Sequence, residues 1–205
     1  MEYNKLATKE VVDKVIAELA KRNVEAIYVG SGKDALAKIK ELVLQGASIM
    51  NGSSTTLEQI GFIDYLKTQE HGWNNLHQGI LDEKDPAKQS ILRKQALLSE
   101  YYLGSVHALA ESGEFIIASN TGSQLSHVVY SSKNPIFVVS TKKIVPTLAD
   151  TFKRLDEHVM PLENERITKL YGRPTQQNKI VVFKGESAMV GRKVRMILVN
   201  EDLGF

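Results

Sequence analysis

Ile49-Met50-Asn51-Gly52-Ser53-Ser54-Thr55-Thr56-Leu57-Glu58 decides how this chain is read. An apolar run ends in a glycine and a row of hydroxyl residues where a helix is about to begin. A small-residue turn in that place leaves backbone N–H groups and the positive end of the helix facing outward, and the hydroxyls add donors for an anion. The plainer reading of the same letters is a helix capped by Ser53 or Thr55 with nothing bound.

Upstream of this turn the pattern alternates. Val11, Val12, Val15, Ile16, Leu19 and Ala20 recur with helical spacing behind Thr8, residues 26–29 form a short strand ending at Gly30-Ser31-Gly32, and Ala35, Leu36, Ile39, Leu42 and Val43 repeat as a second helix stopped by Gly46. Residues 47–50 are the next strand, delivered into the turn, and Leu57, Ile60 and Ile63 line the helix beyond it. Helix, strand, helix, strand, helix is the pattern of parallel strands joined by crossover helices.

Downstream, residues 67–84 read as a polar loop, or as a short helix with two loops. Asp85-Pro86 has the form of an N-cap followed by Pro at the first helical position, and opens a helix expected to run past Tyr102 and end near Gly104. Between residues 106 and 139 the text changes to short extended pieces, 106–110, 114–118, 125–129 and 136–139, separated by turn residues. These predict hairpin-like or mixed pairing beside the parallel core. A helix over 148–158 closed by Pro161, a short helix over 164–171, and strands over 179–183 and 194–199 complete the chain.

The whole reads as a single α/β domain over residues 1–205, of a length that buries roughly 70% of its unfolded surface. Lys plus Arg number 26 against 24 Asp plus Glu, a net charge of +2, which argues against a dedicated nucleic-acid surface. With no Cys in the sequence, disulfides, thiolate metal sites, cysteine nucleophiles and cysteine-ligated iron–sulfur clusters are excluded from this chain. The absence of an apolar run near the roughly 20 residues that span a bilayer, and of a signal-like N-terminus, gives the expectation of a cytoplasmic protein without a membrane partner.

Four segments carry a family resemblance: residues 51–61, the run Ala108-Leu109-Ala110-Glu111-Ser112-Gly113-Glu114, Lys143-Ile144-Val145 with Pro146, and the terminal Ile197-Leu198-Val199-Asn200-Glu201-Asp202-Leu203-Gly204-Phe205. In order and spacing they resemble the LUD domain family, which includes the lactate utilization protein C group. The resemblance implies a three-layer α/β/α frame around a mainly parallel sheet with an antiparallel extension, similar to glucosamine-6-phosphate deaminase, ribose-5-phosphate isomerase and the CoA transferases. It also implies a place in L-lactate oxidation beside iron–sulfur oxidoreductase subunits. Larger relatives carry cysteines before the last strands, whereas residues 170–178 here have none, so a redox centre would belong to a partner or to a noncovalent cofactor.

Fold does not settle chemistry. Gly52, Ser53, Ser54, Thr55 and Thr56 are the first candidate site, an anion cradle at a strand's carboxyl end, similar to the phosphate loops of sugar-phosphate enzymes. Thr121, Gly122 and Ser123 form a second polar turn that could face it, and Lys143 could neutralise a carboxylate or phosphate. Glu111, in a segment resembling the glutamate turn of CoA transferases, is a candidate base or nucleophile, with His107 just before it. The five histidines make no zinc signature. Three readings stay open: a lactate-utilization protein binding a small organic acid or acidic cofactor, an acyl-CoA or sugar-phosphate enzyme using Glu111 and the 53–56 loop, and a nonenzymatic assembly or regulatory subunit. The cofactor is unknown, a homo-oligomer is one expected form, and enzymatic activity is left undecided.

Overall fold

The computed structural model describes residues 2–205. Thr8 caps α1 (Lys9–Lys21) by accepting from the Val11 N–H, and Val12, Val15 and Leu19 form its buried stripe. β1 (Val24–Val29) leads to α2 (Gly32–Leu42), capped by Ser31, and then to β2 (Ser48–Asn51), α3 (Thr55–Gln59) and α4 (Phe62–Lys67). The polar stretch after it holds β3 (Asn74–Asn75) and α5 (Leu76–Asp82). Asp85 caps α6 (Pro86–Gln95) as its sequence predicts, but the helix stops there. After a 3-10 turn the chain enters a strand, β4 (Tyr101–Gly104), in place of the expected helical end near Gly104. Packing overrides the helical spacing here, because every residue of β4 is buried between two neighbouring strands.

β5 (Ala108–Ala110) and β6 (Phe115–Ser119) form a hairpin, followed by β7 (Asn134–Ser140) and β8 (Ile144–Val145). Residues 125–129, expected to be extended, lie instead in helical backbone ending in the π-helical turn His127–Ser131. Leu125 and Val128, a helical pair, are the side chains that reach the core, whereas Val129 is exposed. α7 (Leu148–Arg154), a π-helical turn (Leu155–Val159) and α8 (Met160–Tyr171) run on as one helical stretch. Pro161 was expected to close a helix and does not. It stands at the start of α8, directly after the widened turn, where its missing N–H is tolerated. β9 (Lys179–Phe183) and β10 (Val194–Val199) finish the chain.

Six strands pair in the order β1-β10-β7-β4-β2-β3, all parallel. The central strands are apolar on both faces, as a parallel sheet buried on both sides requires. Ile136 and Val138 face α2, α3 and α4, while Phe137 and Val139 face α1 and the 125–128 segment. Helices therefore cover both faces of the parallel sheet, a three-layer α/β/α arrangement. The antiparallel extension is a second sheet, ordered β8-β5-β6-β9, and not an edge of the first. Phe115, Ile117 and Phe183 of this second sheet share a core with Phe137 and Met196 of the first. Its outer face, through Ala108 and Ile116, packs on Leu155 and Val159.

Candidate functional site

Parallel strands deliver their loops to one edge, and here the carboxyl ends of β2, β4, β7 and β10 meet around a cleft of ≈ 530 Å³. β2 supplies residues 51–56, β4 supplies Gly104, Ser105 and His107, β7 leads to Lys143, and the chain beyond β10 brings Gly204 and Phe205. The second sheet contributes Thr121, Ser123 and Gln124, and α8 contributes Glu163 and Arg166.

Most of the sequence candidates are thus brought together. Gly52, Ser53, Ser54, Thr55, Thr56, Thr121, Ser123, Lys143 and His107 all line this cleft. Gly122, between two of them, takes a left-handed conformation (φ +86°) that shapes the turn. Glu111 does not line the cleft; its carboxylate pairs with Lys14 of α1 at 2.8 Å.

The hydroxyl loop partly caps a helix and partly lines the cleft. Ser54 Oγ accepts from the Leu57 N–H at 3.3 Å and is the N-cap of α3. With five residues, α3 is too short to carry the dipole argument made from sequence. Ser53 Oγ accepts from Arg166 at 3.2 Å, Thr55 Oγ1 is buried with no partner among the described residues, and Thr56 Oγ1 accepts from Lys143. Gly52 is crowded by its neighbours: a Cβ there would lie 2.7 Å from the Tyr102 hydroxyl and 2.9 Å from Gln124 Oε1, so one of them would have to shift.

Lys143 is the most unusual group. Its side chain is 4% exposed, and Nζ donates to Thr56 Oγ1 and Ser105 Oγ, both at 3.1 Å, and to the Val106 carbonyl at 3.2 Å. No carboxylate pairs with it among the described residues. Burial, reinforced by the positive charges of Arg154 and Lys142, holds its pKa well below the ordinary lysine value.

His107 accepts at Nδ1 from the Ala118 N–H at 3.1 Å, so its proton sits on Nε2. Burial first, and then Lys143 and Arg154, push its pKa down to about 3. His127 stacks on Tyr102 with ring centroids 5.0 Å apart, and its Nδ1 lies 3.1 Å from Ser132 Oγ. Burial lowers its pKa to about 4. At neutral pH both rings are therefore neutral, and neither could be a cation for a ligand.

Charge on the cleft's side chains leans positive. Arg93, Arg166 and Lys143 are its basic residues, and Glu163, its carboxylate, is held by two bonds of 2.8 Å from Arg166. Such a cleft suits an acidic ligand carrying groups for hydroxyls to bond. Sequence reading missed Tyr102, Ser105 and Arg93, whereas Gln124 belongs to the second polar turn it singled out. Arg93 lies on a helix whose exposed face explains it without a ligand, and the others gain meaning only through the strand ends they share.

The LUD domain family model matches residues 12–190, and the chain belongs to that family. It is similar in fold to the crystal structure of a DUF162 family protein from Deinococcus radiodurans, with 13% identity over 96% of this chain and 100% of that one, at a TM-score of 0.58. No curated protein matches the sequence significantly. Among the described residues no group of His, Asp or Glu is placed to hold a metal ion, and no helix is long and apolar enough to cross a membrane.

Proposed function

We propose that this is a lactate-utilization-type protein whose cleft binds a small organic acid or an acidic cofactor. Family membership supports a lactate-related role in general. The observation that carries the reading is Lys143: a buried amine among hydroxyls, with no carboxylate to balance it, on the wall of a cleft that also holds Arg93 and Arg166. With its pKa held low, this amine and the hydroxyls around it offer hydrogen bonds, and Arg93 and Arg166 offer the positive charge, that an acid from solution would meet. Since the chain has no cysteine, electron transfer would fall to iron–sulfur partner subunits or to a noncovalent cofactor. The frame is taken to be of the glucosamine-6-phosphate deaminase, ribose-5-phosphate isomerase and CoA transferase kind.

The acyl-CoA reading needs a carboxylate at the reacting centre. Glu111 faces Lys14 and not the cleft, and the cleft's own carboxylate, Glu163, is held by Arg166, which leaves the phosphorylated or organic-acid form of the ligand as the better match. Calorimetric titration of the chain with lactate, ribose 5-phosphate and acetyl-CoA tests this. The expected result is saturable binding of lactate or another small acid, weakened by Arg166→Met. Preferential binding of acetyl-CoA would support the transferase reading, and the absence of any binding would support the assembly reading.

A further inference from the structure

We propose that Lys143 is a nucleophilic amine that forms an imine with an anionic carbonyl compound, a 2-oxo acid in its smallest form, bound in this cleft. The inference rests on the reading of the cleft as an organic-acid site and adds to it the reacting group and the substrate's functional group.

The surroundings of Nζ are those of a reactive amine. Its partners are two hydroxyls and a carbonyl, and Asp202, from the chain beyond β10, pairs with the neighbouring Lys142 instead. Arg154 is wholly buried close by, with its Nε and one terminal nitrogen unpartnered, so the charge around the amine is positive. Positive neighbours and burial favour the uncharged form, which carries the lone pair that attack requires. A neutral amine has two N–H bonds, enough for the Val106 carbonyl and one hydroxyl. The other hydroxyl can rotate away and release the lone pair. Gly204 closes the arrangement: a Cβ there would lie 2.2 Å from Thr56 Oγ1 and 2.9 Å from Nζ, so the chain beyond β10 holds the amine against the hydroxyl loop.

In the step itself, the lone pair forms a C–N bond at the carbonyl carbon while the C=O π pair moves to oxygen, which takes a proton. The carbinolamine then expels that oxygen as water, the nitrogen gives up a proton, and a C=N bond remains. One water leaves per imine, and no oxidant or reductant is needed. His107, on the same wall with its proton on Nε2, is a neutral donor for the carbonyl oxygen, and the arginines hold the carboxylate.

The test is reductive trapping. The full chain is incubated with pyruvate and sodium cyanoborohydride at neutral pH and digested, and every lysine peptide is weighed. The expected result is a gain of one pyruvic acid less one oxygen atom at Lys143, saturating with pyruvate and suppressed by lactate, whose hydroxyl cannot form an imine. Lys143→Met, checked for folding by circular dichroism, should lose that adduct; the wild-type peptide map locates it even if the variant fails to fold. Labelling confined to exposed lysines such as Lys5 and Lys88 overturns the proposal. If pyruvate and lactate bind by calorimetry without an adduct at Lys143, the amine chemistry is wrong and the organic-acid site stands. If neither binds and no adduct forms, both fall.

Discussion

Lys143 Nζ and Thr56 Oγ1 stand 3.1 Å apart across a sequence separation of 87 residues, joining the loop after β2 to the segment after β7. Thr56→Val keeps the side chain's shape while removing the acceptor. The expected cost is about 1–3 kcal/mol, because the lysine is left short of a buried partner. A urea titration should show a lowered midpoint with unchanged slope, and affinity for a small acid should fall in parallel.

Gly52 tests the packing of the cleft floor. Gly52→Ala would push a methyl group to 2.7 Å from the Tyr102 hydroxyl, a crowding expected to cost about 1–3 kcal/mol. Tyr102→Phe removes the atom it meets, so the double variant should recover part of the loss. Strictly additive effects in that cycle would show that the two positions do not touch.

Stability should fall as the solution is acidified below neutrality. His107 and His127 have folded-state pKa values of about 3 and about 4, below the ordinary 6.5. Above 6.5 both folded and unfolded forms are neutral and stability is complete. Between 6.5 and the folded values only the unfolded chain takes up protons, so each ring removes at most about 1.4 kcal/mol per pH unit. Thermal melts across this window should flatten in His107→Gln, and an unchanged slope would argue against a neutral buried ring.

Glu111→Gln is expected to leave both folding and ligand affinity as they are. Its ion pair with Lys14 lies at the surface, outside the cleft. A loss of activity or binding in this variant, with melting temperature unchanged, would restore the residue to the site.

Much of the frame was legible in the sequence because it is written locally. The stripe of Val12, Val15 and Leu19, the Asp85-Pro86 start and the apolar runs of β7 and β10 each carry their own period. What sequence could not show depended on partners far along the chain. Tyr102 fits a helical spacing as well as a strand until β2 and β7 flank it, and residues 125–129 alternate like a strand while packing through a helical pair. Likewise β5, β6 and β9 read as strands, yet nothing local says that they form a sheet of their own. For the site, the hydroxyl loop and Lys143 stood out as letters, but their meeting, and the absence of a carboxylate beside the amine, are properties of the packed molecule.

The central claim is that the buried amine of Lys143, beside the cleft's arginines, helps to hold an acid in this cleft. Titrating lactate and pyruvate calorimetrically into the wild-type chain and into folded Lys143→Met tests it most directly. The prediction is one saturable site in the wild type and a loss of about tenfold or more in the variant, the scale of one buried hydrogen bond to a charged ligand. Equal affinity in the two proteins, or no binding of either acid to the wild type, would contradict it.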